Sequence, residues 1–286
     1  MTRISIGILG GTGLYNLDYL EDIKEVSPNT PFGKPSDNIV TGTIHGTPVA
    51  FLARHGRGHV YSPSEIPARA NIFALKEMGV QRLISVSAVG SLRENIRPLD
   101  IVVPNQFIDR TKSRPSTFFD GGIVAHVSFA QPICEQMAGI LYKGAMDNGA
   151  TTHASGTYVV IEGPQFSTIA ESHMYRSWGA DIIGMTALPE SKLAREAEMC
   201  YSVLACTTDY DCWRTEETPV TVEMVVANLN KNSALSKSIL TDIIPKIPLE
   251  QECGCQSSLD NSIITNIEII AEEPKQKLWP LLKKYL

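Results

Sequence analysis

The stretch 7-GILGGTGLYN-16 places four glycines within seven positions, directly after an apolar run, 3-RISIGILG-10, that reads as a buried strand. Glycines at a strand end let backbone N–H groups approach an anion closely, and open α/β sheets put their ligands at the carboxyl ends of strands. Two familiar anion loops are excluded. The dinucleotide fingerprint G-x-G-x-x-G begins at Gly11-Thr12-Gly13 but meets Asn16 where its third glycine belongs, and no Gly-Lys-Ser/Thr follows to make a P-loop. What remains is a glycine-rich turn carrying one hydroxyl, Thr12, which taken alone also reads as a plain tight turn.

Beyond this turn, strands and helices alternate. The runs 39-IVTGTI-44 and 48-PVAFLA-53 read as strands joined by a hairpin at 45-HGT-47. In 64-SEIPARANIFALKEMG-79, Ile66, Ala70, Phe73, Ala74 and Met78 form a helical stripe stopped by Gly79. Strands follow at 82-RLISVSAVG-90 and 100-DIVVP-104, a helix at 131–148, a strand at 157-TYVVIEG-163 and a helix at 168–178. Strand 181-DIIGMT-186, helix 188–199 and strand 200-CYSVLACTTD-209 complete the pattern. Such alternation predicts an α/β fold whose mixed, mainly parallel central sheet is flanked by helices. With no internal repeat or low-complexity linker, 1–286 reads as one domain in which 250–286 is a surface loop leading into a C-terminal helix.

The unusual polar residues fall just after strands: Thr12, Arg54-His55, Ser87-Ala88, Glu162-Gly163-Pro164, Met185-Thr186 and Asp209-Tyr210-Asp211. Loops gathered at one edge of a sheet describe a site. Arg54 and His55 follow an apolar strand directly, and a guanidinium fork is a usual partner for phosphate or carboxylate. Arg57 reads equally well as a solvated surface residue. Asp209 and Asp211, two apart, point the same way in extended chain and read as an exposed turn, a metal site or an acid/base pair; no adjacent third ligand supports metal.

Composition narrows the partners. A formal charge of −6 without a basic cluster argues against a nucleic-acid surface. No apolar run approaches the ~20 residues that cross a bilayer, and a core-type strand at the N-terminus without a basic flank predicts a cytoplasmic protein. Of the six cysteines, Cys134, Cys200, Cys206 and Cys212 are scattered and read as small buried apolar residues. Cys253-Gly254-Cys255 has no second pair or histidine beside it in sequence to complete a zinc site, so no metal is expected.

Nine motifs in order carry a resemblance: GILGGTGL, TPFGKPSD, ARHGRGH, NIFALKEMG, AVGSLREN, NQFIDRT, IEGPQFST, SWGADIIGMTALPE and TTDYDCW. From Gly7 to about Asn230 the chain resembles the methylthioadenosine phosphorylase branch of the trimeric purine nucleoside phosphorylases. The resemblance implies that Thr12, Arg54, His55, Ser87, Ala88 and Thr186 hold inorganic phosphate. It implies that Phe166 packs on the purine, that Met185 lies against the ribose, and that Asp209 and Asp211 face N7 and the 6-amino group. His59, Val222 and Val225, with His126 from a neighbouring subunit, would form the methylthio pocket of a homotrimer or dimer of trimers. Phosphate is a substrate, and no cofactor is implied. One departure is Gly184, where several relatives carry asparagine. The C-x-C is similar to that of thermophilic archaeal members, and it implies at least one disulfide, with Cys253–Cys255 and Cys134–Cys200 as candidate pairs. Two rival readings remain: a phosphorylase of 6-oxopurine nucleosides or 5′-methylthioinosine, against which the two carboxylates argue, and a nucleotide-binding regulator without catalysis.

Overall fold

Ile8 and Leu9 face opposite ways, as consecutive strand residues must, and each is fully buried in a different apolar cluster. The same division recurs at Leu83 and Ile84 and at Val203 and Leu204. The strands holding these pairs are therefore covered on both faces, which is why their sequences are continuously apolar rather than alternating. This is a computed structural model, and it describes the chain except residues 1–3, Thr12, 215–221, Leu249 and Gln251 and the side chains of Val222, Met224 and Val225.

The strands are β1 (Ile6–Gly10), β2 (Glu21–Val26), β3 (Ile39–Ile44), β4 (Thr47–Ala53), β5 (Arg82–Ser91), β6 (Ile101–Val102), β7 (Gln106–Arg110), β8 (Thr152–His153), β9 (Thr157–Ile161), β10 (Ile182–Gly184) and β11 (Cys200–Asp209). The helices are α1 (Ala68–Glu77), α2 (Glu135–Asp147), α3 (Ile169–Ser177), α4 (Ala187–Glu196), α5 (Val222–Ile243), α6 (Glu272–Lys277) and α7 (Trp279–Leu282). All the strands join one sheet in the order β2-β3-β4-β1-β5-β10-β9-β7, with β11, β6 and β8 branching from β5. The pairs β1/β4, β1/β5, β5/β11, β9/β10, β7/β9 and β6/β8 are parallel, and the hairpin strands and the β5/β10 and β6/β11 pairs are antiparallel. The mixed, mainly parallel sheet expected from sequence is thus present. β5 is its hub: its first half pairs with β1, its whole length with β11, and its last residues with β10.

Helices α1 and α4 pack on one face, α2 and α5 on the other. Two helix ends follow from local chemistry. Thr168 and Glu171 form a reciprocal capping box at the start of α3, and Gly79 takes φ +97° just beyond α1. Among the described residues no helix is long and apolar enough to cross a membrane.

The structure departs from the expectations at four places. Strands β2 and β7 are mostly exposed edge strands without a strong apolar pattern, and the 22-residue α5 was not anticipated. The 250–262 stretch is not a surface loop throughout, because Cys255 and Leu259 are buried and its residues form a short 3₁₀ turn at Gly254–Ser257. The C-terminal helix is two short pieces, α6 and α7, since Pro280 cannot donate the backbone bond that would join them. None of the six cysteines is disulfide-bonded in the structure, so neither expected pairing is formed there. Cys134, Cys200, Cys253 and Cys255 instead converge in space, supplying the second pair that the linear sequence lacks.

Candidate active site

The carboxyl ends of β1, β4, β5, β10 and β11 open onto one cavity of about 620 Å³, closed on a further side by α5 residues Leu229, Asn232, Ser233 and Ser236. Of the residues expected at the site, Arg54, His55, His59, Ser87, Ala88, Phe166, Met185, Thr186, Asp209 and Asp211 all line it. Thr12, Val222 and Val225 fall outside the described residues or side chains. His126 does not line the cavity of its own chain; it lies exposed on a segment whose backbone bonds to Ser262.

One wall is built of hydroxyls and an imidazole. Ser87 Oγ, on β5, lies 2.6 Å from Thr186 Oγ1, just past β10, so the two hydroxyls are hydrogen-bonded to each other and one O–H of the pair is left to face the cavity. Ala88 is the one exposed residue of the otherwise covered β5, because there the strand faces the cavity. The ring of His55 stacks on that of His59 at 4.1 Å, and its Nδ1 donates to the Tyr61 carbonyl at 2.9 Å. A carbonyl only accepts, so Nδ1 carries the hydrogen and Nε2 of the neutral ring is left as an acceptor. Burial, then the adjacent Arg54 guanidinium, push His55 down to about 4, so the ring is neutral at neutral pH.

Arg54 differs from the expectation of a fork open to an anion. It is 1% exposed, and Nε and Nη2 engage Glu190 in a bidentate pair. Nη2 also contacts Ser85 Oγ at 2.6 Å and the Leu9 carbonyl at 3.3 Å, while Nη1 donates to the Val86 carbonyl at 3.0 Å. Counting five N–H groups leaves one Nη1 hydrogen for a ligand. That nitrogen lies 3.5 Å from where a Cβ on Gly11 would stand, so the absence of a side chain at Gly11 keeps it open to the glycine turn. Arg57, by contrast, is half exposed and pairs with Glu25 and Asp37.

The opposite wall carries the carboxylates. Asp209 Oδ1 accepts the Asp211 amide at 2.8 Å and Oδ2 accepts the Thr208 hydroxyl at 2.6 Å. Burial pushes the pKa of Asp209 up despite these donors. Asp211 is also pushed up, by burial first and by the Asp209 charge in lesser part. A Cβ on Gly90 would come within 2.9 Å of Asp209 Oδ1, so the glycine makes room for the carboxyl. Phe166 stands at the mouth, 59% exposed, with its ring free to cover a planar ligand.

Several residues that shape the site escaped the sequence reading. Glu190 and Ser85 hold Arg54, and Arg114 holds the loops: it donates to the carbonyls of Ile161, Glu162, Met185 and Leu188 and so ties the ends of β9 and β10 together. Nothing in the spacing of Arg114 or Glu190 marked them, because their partners lie tens of residues away. Gly184 has a structural reason. A Cβ there would stand 2.4 Å from the Tyr158 hydroxyl, so the space of the missing side chain is filled from the neighbouring strand β9.

Known proteins can now be set against this geometry. The sequence profile of the Phosphorylase superfamily matches residues 5–245. The chain belongs to that superfamily. It is 52% identical to the S-methyl-5′-thioadenosine phosphorylase of Koribacter versatilis over 99% of this chain and 97% of that one. It is 51% identical to the enzyme of the same name from Thermofilum pendens, over 92% of this chain and all of that one. Among solved structures, a methylthioadenosine phosphorylase from an Antarctic soil metagenomic library superposes with a TM-score of 0.94 at 48% identity, covering 99% of this chain and 100% of that one. The Schistosoma mansoni methylthioadenosine phosphorylase in complex with adenine superposes with a TM-score of 0.85 at 35% identity, covering 91% of this chain and 100% of that one.

Proposed function

We infer that the protein is a pentosyltransferase that cleaves 5′-methylthioadenosine with inorganic phosphate, releasing adenine and 5-methylthioribose 1-phosphate. The observation that carries this reading is the polarity of one cavity: neutral donors and acceptors suited to hydrogen phosphate on one wall, two carboxyls held toward their acid forms on the other.

Breaking the N9–C1′ bond leaves the ribose electron-poor and the purine electron-rich, so a site gains most by stabilising both charges as they develop. Hydrogen phosphate sits between Ser87, Thr186, the free Nη1 hydrogen of Arg54 and the turn carrying Thr12, with its P–OH donating to His55 Nε2. One of its oxygens attacks C1′ as the bonding pair moves into the purine. Asp209, in its acid form, donates its proton to N7. The proton that hydrogen phosphate loses on forming the ester restores Asp209 through solvent, and the balance closes without a cofactor. Asp211 accepts from the 6-amino group, Phe166 covers the base and Met185 the ribose. The methylthio group lies toward His59, Val222 and Val225, completed by His126 of a second copy in a trimer or dimer of trimers in the cytoplasm. The experiment is adenine release from 5′-methylthioadenosine with and without phosphate, beside inosine. Phosphate-dependent release with at least a tenfold preference over inosine supports the reading; release without phosphate, equal use of inosine or no turnover overturns it.

A further inference from the structure

Four cysteines form a cluster that this reaction does not use. Cys134 caps α2, Cys200 opens β11, and Cys253 and Cys255 flank Gly254 in the C-terminal segment. Their four sulfurs all lie within 4.8 Å of one another, with Cys200 and Cys253 at 3.3 Å. In a tetrahedral zinc tetrathiolate with Zn–S of ~2.3 Å the sulfurs stand about 3.8 Å apart. The cluster therefore gathers its sulfurs at close to coordination spacing.

The surroundings fit a complex of four thiolates around a dication, which carries two net negative charges. Cys134 is the N-cap residue of α2, where the positive end of the helix favours a thiolate. Arg82 is the register partner of Cys200 on the adjacent parallel strand, so its side chain leaves the sheet on the same face. It is 1% exposed, donates through Nη2 to the Glu250 carbonyl at 2.8 Å, and its Nη1 has no hydrogen-bond partner among the described residues. A buried guanidinium with a spare donor on the same sheet face as Cys200 can offset part of the charge of such a centre. Cys134, Cys200 and Cys255 are buried while Cys253 is half-buried, which leaves one side open for a cation to arrive.

We propose that Cys134, Cys200, Cys253 and Cys255 are the four ligands of a structural site for a thiophilic divalent cation, zinc by its chemistry, that fastens the C-terminal segment to α2 and β11. Binding releases four thiol protons and changes no oxidation state. All four positions of the tetrahedron are taken by protein, so the site holds structure and has no open position for catalysis.

The test uses the full-length protein purified without chelators. Elemental analysis should give one zinc per chain, and thiol counting in denaturant without reductant should give six free thiols. Cobalt(II) exchanged into the protein should show the intense visible bands and sulfur-to-metal charge transfer of a tetrahedral thiolate site. Cys255→Ser should lose the stoichiometric metal, whereas Cys212→Ser, outside the cluster, should keep it. If Cys255→Ser does not fold, the cobalt spectrum of the unsubstituted protein decides alone. Fewer than six thiols in the denatured protein would mean that the sulfurs are paired as disulfides, and six thiols with neither bound zinc nor a cobalt spectrum would mean buried thiols only. Either result overturns the proposal. Because activity is not the readout, its failure leaves the phosphorylase reading untouched.

Discussion

Asp209→Asn isolates the proton that the leaving purine needs. In the structure Oδ1 accepts the Asp211 amide at 2.8 Å and Oδ2 accepts Thr208 Oγ1 at 2.6 Å, while the same hydroxyl lies 3.2 Å from the Val89 carbonyl. An asparagine keeps the first bond through its oxygen. Its amide nitrogen can take the Oδ2 position and donate to Thr208 Oγ1, whose hydrogen then turns to Val89. No buried group is left unpaired, so folding stability should change by less than about 1 kcal/mol, the net worth of one hydrogen bond. The amide can point a hydrogen at N7 but cannot give it up. Loss of a positioned general acid costs roughly 10²–10⁴ in rate, about 3–5 kcal/mol of barrier. kcat/KM for 5′-methylthioadenosine should fall by that factor. An N7-methylated analogue, whose base already carries the positive charge, should lose less than about tenfold, since it needs no acid. The raised pKa of Asp209 adds a pH signature: its proton is held above the usual carboxylate range, so the wild-type rate should decline on an alkaline limb that the variant lacks. Equal losses on the methylated and unmethylated substrates would refute the assignment of Asp209 as the acid.

Three further outcomes follow from particular contacts. Glu190→Ala strips a buried guanidinium of its partner and should cost about 3–5 kcal/mol in chemical denaturation; a loss below about 1 kcal/mol would show that Arg54 does not depend on the pair. His55 is held down to about 4 in the folded protein, so the unfolded chain takes up the proton first as pH falls below its ordinary value near 6.5. The stability it confers is fully present above about pH 6.5 and is lost on descending toward pH 4, by about 3 kcal/mol at ~1.4 kcal/mol per pH unit. Denaturation curves over that window should be flatter for His55→Gln than for the wild type, and parallel curves would contradict the burial argument. Gly184→Ala should lower the melting temperature because its Cβ would stand 2.4 Å from the Tyr158 hydroxyl. Tyr158→Phe in the same chain should recover part of the loss, since the next contact is 3.1 Å; strictly additive losses would show that the two positions do not compete for that space.

The sequence alone determined what its periodicities and strand-end residues could encode. Mainly apolar runs at 6–10, 82–86 and 200–206 read as strands covered on both faces, and the polar residues placed after them as meeting at one sheet edge. Ser87, Thr186, His55, Asp209 and Asp211 were legible for that reason, and all line the cavity. What the tertiary structure alone decided is which side chains spend their bonds on one another. Arg54 and Glu190 are 136 residues apart, and no local pattern could say that the guanidinium is mostly occupied by a carboxylate rather than by a ligand. Arg114 belongs to the site only because it reaches carbonyls 47 to 74 residues onward. Edge strands β2 and β7 carry no buried face to mark them, so their pairing appears only once β3 and β9 are in place. The cysteines make the same point most simply. In sequence, Cys253-Gly254-Cys255 is a lone pair with nothing to complete it; in space, the start of β11 and the cap of α2 bring Cys200 and Cys134 to it, because the sheet register and the C-terminal segment's burial fix positions that chain separation leaves free.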